Sequence, residues 1–163
     1  MEEDRVYLAR RVTGGGAVFH DLGNTNFTFL SSNDSYDKAV NFKIIIQALK
    51  KFDITATTSG RNDLMVEVDD LGPRKICGSL FRESHDRAFH HGTLLVDASL
   101  KKLLKYLTPD SKKHMSKNVS SVQSRIANLS QLAQIDHAAL WVKIIQEFFM
   151  QNKSECLVEI LNE

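Results

Sequence analysis

Hydrophobic and polar positions alternate along much of this chain, and changes in the period of that alternation mark its elements. Over residues 26–31, Phe27, Phe29 and Ser31 fall on one side and Thr28 and Leu30 on the other. A period of two predicts a strand with a buried aromatic face. Residues 17–19, Ala-Val-Phe, read as a short preceding strand, joined to it by the turn His20-Asp21-Leu22-Gly23-Asn24. The period then lengthens: Ala39, Phe42, Ile45, Ile46 and Leu49 recur at helical spacing. They predict a helix over 36–52, capped by Asp34 or Ser35, with the stripe as core. Residues 54–58, 64–68, 74–83 and 88–96 read as strands, separated by Ser59-Gly60-Arg61-Asn62-Asp63, Asp69-Asp70-Leu71-Gly72-Pro73 and Ser84-His85-Asp86-Arg87. Leu100, Leu103, Leu104 and Leu107 predict a short amphipathic helix over 99–106, and Leu140, Ile144, Ile145 and Phe148 a longer one over 136–151. Between them, 108–122 is a polar, lysine- and serine-rich surface excursion, and 126–132 is weakly helical. Residues 2–10, acids first and arginines last, have the order a helix dipole prefers, and 156–160 read as a final short strand. Hairpins alternating with few helices give an α+β class, a mixed or antiparallel sheet packed against helices.

Bulk properties narrow the function classes. A length of 163 residues suits a single domain over 1–163, large enough to bury a core. The formal charge of +1 gives no case for nucleic acid or membrane attraction, and no apolar run is long enough to span a bilayer. Met1-Glu2-Glu3-Asp4 lacks the basic-then-apolar order of a signal peptide. Cys77 and Cys156 are too far apart in sequence to suggest a disulfide framework or a metal knuckle. A cytoplasmic protein is the economical expectation.

Candidate chemistry begins at Arg10-Arg11-Val12-Thr13-Gly14-Gly15-Gly16-Ala17-Val18-Phe19-His20-Asp21. Three glycines let a ligand approach the main chain, successive N–H groups can cradle an anion, and two arginines offer planar forks for the same oxyanions. A flexible turn with solvated arginines is the simpler reading of the triplet alone, and neither the Walker A nor the dinucleotide-binding glycine spacing is present. Lys75 is a lone strand lysine, ordinarily a solvated one. Alternation places Cys77 on its face, where a neighbouring ammonium would favour thiolate, although cysteine also packs as a small hydrophobe. Asn62 and Asp63 offer hard oxygen donors for magnesium or a nucleotide, or simply an Asx turn. His91 and Thr93 share one face of their strand and His90 takes the other, without a third ligand at metal spacing.

As a whole, residues 10–30, ending His20-Asp21-Leu22-Gly23-Asn24-Thr25-Asn26-Phe27-Thr28-Phe29-Leu30, closely resemble the lipoate-binding signature of the lipoate–protein ligase A family. That family belongs to the wider biotin/lipoate ligase and octanoyltransferase group. Arg74-Lys75-Ile76-Cys77-Gly78-Ser79 resembles its lysine motif, with Cys77 in place of the common serine. The Gly60-Arg61-Asn62-Asp63 turn and the His90-His91-Gly92-Thr93-Leu94-Leu95 strand match two further family motifs. The resemblance implies that Lys75 is the catalytic lysine, a fixed cation between acyl carbonyl and α-phosphate that acts electrostatically. It implies that Arg11 neutralises phosphate, that Gly16, Ala17, Val18 and Phe19 hold ATP and the lipoyl-adenylate, and that Gly15, Gly16 and Lys75 contact lipoate. Arg10, Asn62, Asp63, His91 and Thr93 are secondary candidates, with Asp63 a candidate Mg2+ ligand. Val18, Phe27 and Leu80 are candidates for an apolar acyl tunnel.

The implied activity is ATP-dependent ligation: lipoate becomes lipoyl-AMP, and the acyl group passes to a lysine of a lipoyl acceptor domain. Acceptors of that kind belong to the 2-oxoacid dehydrogenase complexes or are the glycine cleavage H protein. The alternatives are an octanoyl or lipoyl transferase of the same fold that uses no ATP, and a truncated or partner-dependent fragment without turnover. The last alternative follows from an expectation that the domain is incomplete at its N-terminus, begins at an internal methionine and lacks a C-terminal accessory domain. A sheet that has lost a strand would expose an unpaired edge and apolar surface, with reduced stability or self-association.

Overall fold

The computed structural model describes residues 4–11, 15–60, 62–107 and 126–152. The expected excursion over 108–122, the strand over 156–160, Gly14 and Arg61 lie outside them. Five strands form one antiparallel sheet in the order β1-β5-β4-β3-β2. They are β1 (Asn24–Ser32), β2 (Ala56–Ser59), β3 (Asp63–Val68), β4 (Gly72–Glu83) and β5 (Arg87–Leu95). Three α-helices are described: α1 (Lys38–Lys50), α2 (Leu100–Leu107) and α3 (His137–Asn152). The α+β expectation is met with a fully antiparallel sheet, joined on its β4 side by an isolated parallel bridge between Lys75 and Ile126.

The aromatic alternation of β1 does what its period dictates. Thr25, Phe27 and Phe29 are buried on one face, while Asn26, Thr28 and Leu30 stand on the other. The buried face meets α1 and α3, whose Phe42, Ile45, Leu49, Leu140 and Ile144 complete a core with Leu64, Val66, Ile76 and Leu94. Thr25 Oγ1 lies 2.6 Å from His137 Nδ1, tying β1 to the first residue of α3, and Phe29 stacks on Phe148 of the same helix. Helices thus cover one side of the sheet, and the opposite side is left for the site.

Several expectations are corrected. Residues 4–10 are not helical: Arg5 takes φ +51°, incompatible with a right-handed helix. Residues 17–19 form no strand: among the described residues they pair with none of the five strands, and they line a cavity instead. The cap of α1 is Asp37, whose carboxylate accepts from Ala39 N and Val40 N at 2.7 and 3.3 Å. This helix buries Ile44 and Ala48 as well as Phe42, Ile45 and Leu49, while Ala39 is exposed and Ile46 half-buried. In α3, Ile145 is 38% exposed, whereas Glu147 is buried and its carboxylate lies 3.4 Å from Lys51 Nζ. Residues 126–132 hold the bridge residue Ile126 and a single 3-10 turn, Leu129–Gln131.

One irregularity of β4 decides where its side chains point. Leu64 lies opposite Cys77 but Met65 lies opposite Lys75, so one step of β3 faces two steps of β4. This bulge breaks the alternation. Cys77 therefore joins Ile76 in the core, and the expectation that it shares a face with Lys75 fails. Burial pushes the Cys77 thiol up to about 12, outweighing the nearby Lys75 ammonium, so a reactive thiolate is excluded.

Candidate active site

The face of the sheet away from the helices carries a cavity of about 680 Å³. Its floor is β-sheet: Lys75, Gly78 and Leu80 from β4, His91 and Thr93 from β5, Asn26 and Thr28 from β1. The loop of Arg11 and Gly15 to His20 closes one side, and Leu103, Leu104 and Leu107 of α2 another. Phe27, Val18 and Leu80 all reach this space, as expected of an apolar tunnel. Arg10 is exposed and does not line it.

Lys75 Nζ lies 2.8 Å from Asp63 Oδ1, with the two side chains 25% and 36% exposed. The pair is partly shielded yet open to the cavity, so the ammonium can be reached by a second anion. Gly78 gives this lysine room: a Cβ on it would stand 3.1 Å from both Lys75 Cε and Nζ, a tight contact that a few tenths of an ångström of lysine movement would relieve. The turn before Asp63 is pinned to β4, since Asn62 O accepts from Ser79 N at 2.9 Å and from Ser79 Oγ at 2.8 Å. Asn62 and Asp63 both line the cavity beside the lysine.

Also lining the cavity, Arg11 Nη2 donates to Gly16 O at 2.7 Å. Gly15 takes φ +96°, and a Cβ there would lie 2.7 Å from Arg11 Nη2 and from Leu80 Cδ1. The positive φ favours glycine, and a side chain there would also displace the ends of Arg11 and Leu80. The next residues continue the fixing of the loop. Asn26 Nδ2 lies 3.4 Å from His20 Nδ1, His20 Nε2 lies 3.2 Å from Thr93 Oγ1, and Thr93 Oγ1 donates to Asn26 Oδ1 at 2.9 Å. A ring in which each group donates once requires the neutral imidazole with its proton on Nε2. Burial, and then the Arg11 charge, both hold His20 below the usual imidazole range, consistent with that form. His91 is held down by the same two causes. Asp21 turns the chain: its carboxylate accepts from Gly23 N and from Ser99 N, each at 2.9 Å, so it also anchors the approach to α2. Phe19 stacks on Tyr106 of α2 with centroids 5.6 Å apart, and the Tyr106 hydroxyl donates to Asp4, which Lys105 contacts at 2.5 Å.

The structure therefore brings Arg11, Gly15, Gly16, Ala17, Val18, Phe19, Asn62, Asp63, Lys75, His91 and Thr93 to one cavity. His90 points the other way, fully buried among Phe27, Phe29, Phe42 and Phe81. Periodicity did not signal His20, Asn26 or the α2 leucines as cavity residues. The first two were visible only as members of the signature, and the leucines only as the apolar side of a short amphipathic helix. Among the described residues no three His, Cys, Asp or Glu side chains cluster as a metal site, and no helix is long and apolar enough to cross a membrane.

Comparison with known proteins gives the same picture at the level of the family. The model of the lipoyl protein ligase A/B catalytic domain matches residues 1–149. A lipoate-protein ligase A of Psychrobacter cryohalolentis is 56% identical over 149 residues, covering 91% of this chain and 42% of that protein. The crystal structure of P. falciparum LipL1 in complex with lipoate is 40% identical, with a TM-score of 0.77 over 96% of this chain and 44% of that one. A bi-partite lipoate protein ligase from Thermoplasma acidophilum, described with its E2 lipoyl domain, is 26% identical with a TM-score of 0.82, covering 100% of this chain and 64% of that one. The chain thus spans less than half the length of the Psychrobacter and P. falciparum relatives. With the match to the family model extending over most of its length, this chain belongs to the lipoyl protein ligase A/B catalytic domain family.

Proposed function

We propose that this chain forms the activating core of an ATP-dependent lipoate–protein ligase. The observation that carries the reading is the Lys75–Asp63 pair, open to a cavity that faces an arginine-bearing glycine loop and has apolar walls. A lipoate carboxylate oxygen attacks the α-phosphorus of ATP, a C–O–P anhydride forms, and the bond to pyrophosphate breaks. The acceptor lysine amine then attacks the acyl carbonyl, AMP leaves, and the amide forms as the amine loses a proton. In both steps negative charge grows on oxygens near the phosphate and carbonyl, where a fixed Lys75 ammonium stabilises the transition state more than the ground state. Arg11 supplies a second cation for the phosphates. Gly15 and Gly16 bring the backbone within reach of lipoate and nucleotide, and the backbone of Ala17, Val18 and Phe19 holds the adenylate. Val18, Phe27, Leu80 and the α2 leucines exclude water from the acyl chain.

The magnesium that accompanies ATP fits what Asn62 and Asp63 offer. Mg2+ is commonly held by one or two protein oxygens plus substrate phosphates, and Asn62 and Asp63 both line the cavity. Asp63 and Asn62 would hold it, and when bound it supplies charge neutralisation on the phosphates. The acceptors are lipoyl domains of 2-oxoacid dehydrogenase complexes or the glycine cleavage H protein, and the compartment is the cytoplasm. Cys77 is buried and so does not offer the accessible thiolate that an acyl-thioester transferase would need.

The test is mass-spectrometric detection of lipoyl-AMP after incubation with lipoate, ATP and Mg2+. The unmutated chain is expected to form it, and Lys75→Ala to form at least ~100-fold less, in line with the loss of one electrostatic stabiliser. Equal adenylate formation by both, or octanoyl transfer without ATP, would overturn the assignment.

A further inference from the structure

We propose that the lysine-bearing outer face of α2 is the docking surface for the acceptor, and that the acceptor carries acidic side chains beside its target lysine. The inference rests on the ligase reading, because that reaction requires a macromolecular acceptor to deliver an amine into the cavity. An ammonium on a four-carbon stem reaches only a short way. The surface around the acceptor lysine must therefore lie against the rim of the cavity, and the chemistry of the rim selects the chemistry of the partner.

The rim on the α2 side is basic. The helix has two faces of different character: Leu103, Leu104 and Leu107 line the cavity, while Lys101, Lys102 and Lys105 are exposed. Three of its eight residues are lysine and none is acidic, in a chain whose formal charge is only +1. None of its residues is buried, so the lysines are presented on the surface. The face already takes a carboxylate: Asp4 Oδ2 lies 2.5 Å from Lys105 Nζ. Hydrogen bonds from Lys105 and Tyr106, helped by the Lys102 charge, hold the Asp4 carboxyl down at about 2. A basic amphipathic helix can also lie on an anionic membrane, but that needs its whole apolar face free, and here Leu103, Leu104 and Leu107 line the cavity, with Leu104 alone among them largely exposed, at 47%. A protein surface with acids flanking a lysine fits better.

Binding of an unmodified E2 lipoyl domain, with acidic residues beside its target lysine, tests this by titration at low salt. Variants of both partners are compared: Lys101→Glu/Lys102→Glu in this chain, and acid-to-amide changes in the lipoyl domain. The expected result is an affinity at least tenfold weaker for either altered partner, little further loss when both are altered, and weakening as salt is raised. Equal affinity for the charge-reversed chain, or losses that simply add, would overturn the docking assignment. Adenylate formation is measured alongside on both chains. A reversal variant that loses adenylate together with binding would also overturn it, since α2 would then act on the cavity. If neither chain forms adenylate, the ligase reading fails, while the titration still decides the docking surface.

Discussion

His90 is the residue whose environment is least expected from its chemistry. Its side chain is fully buried, both ring nitrogens lack a hydrogen-bond partner among the described residues, and four phenylalanine rings surround it within 6 Å. The charges nearest this cage are Lys38, whose Nζ sits 4.2 Å from the Phe81 ring, and the adjacent His91. Burial first, then those two groups, hold the imidazole down at about 3. The folded state therefore refuses a proton that the unfolded chain accepts below an ordinary value of 6.5. Stability from His90 is intact above that pH and is lost as pH falls toward 3, with a slope of up to about 1.4 kcal/mol per pH unit. Melting temperatures between pH 7 and pH 4 measure it. His90→Leu, which keeps the cage apolar, is expected to flatten the dependence, and an unchanged slope would show that other groups carry it.

At the scale of elements, α2 is the least anchored helix. It buries none of its residues, and its attachments are the Asp21 carboxylate on Ser99 N, the Tyr106–Phe19 stack and the Asp4 contacts with Lys105 and Tyr106. Helices this short are marginal in water without tertiary contacts. Tyr106→Ala should therefore raise hydrogen exchange of the 100–107 amides about tenfold or more while leaving the α1 and α3 amides unchanged. Tyr106→Phe keeps the stack and is expected to lie close to the unmutated protein. Equal exchange in all three would show that the leucine contacts alone hold α2. Because Phe19 belongs to the proposed adenylate loop, the same variants connect the order of α2 with nucleotide affinity.

At the scale of the molecule, the sheet is one-sided and its two edges differ. The β2 edge is four residues long, whereas β1 is nine residues, Asn-Thr-Asn-Phe-Thr-Phe-Leu-Ser-Ser, with no charge, proline or bulge. Among the described residues β1 pairs only with β5. Next to it, α3 exposes Trp141, Val142, Ile145 and Met150. An unprotected edge beside an apolar helix face invites association. Sedimentation of this 163-residue chain should show mass rising with concentration, reduced by Leu30→Lys combined with Trp141→Glu. A monomer throughout the concentration range would contradict this.

The sequence by itself determined the elements whose signal is local. Strict alternation in Phe27 and Phe29 gave β1 its buried face, helical spacing through Phe42, Ile45 and Leu49 gave α1, and Leu140 and Ile144 gave α3. Part of the glycine-loop signature was legible too: Gly15 takes φ +96°, Arg11 donates to Gly16 O, and Asn26 accepts from Thr93 Oγ1. Tertiary structure decided what depends on distant partners. The bulge that sends Cys77 inward and leaves Lys75 facing the cavity is a property of the pairing between β3 and β4, which no window of one strand contains. Residues 17–19 look like a strand but pair with none among the described residues, and they line the cavity. The leucines of α2 were legible only as one side of an amphipathic helix, because periodicity reports which side of a helix is apolar and not what that side meets. Only the packed chain shows that this side faces a cavity, and hydrophobicity alone cannot distinguish a wall built for the protein's own interior from one left open for a ligand.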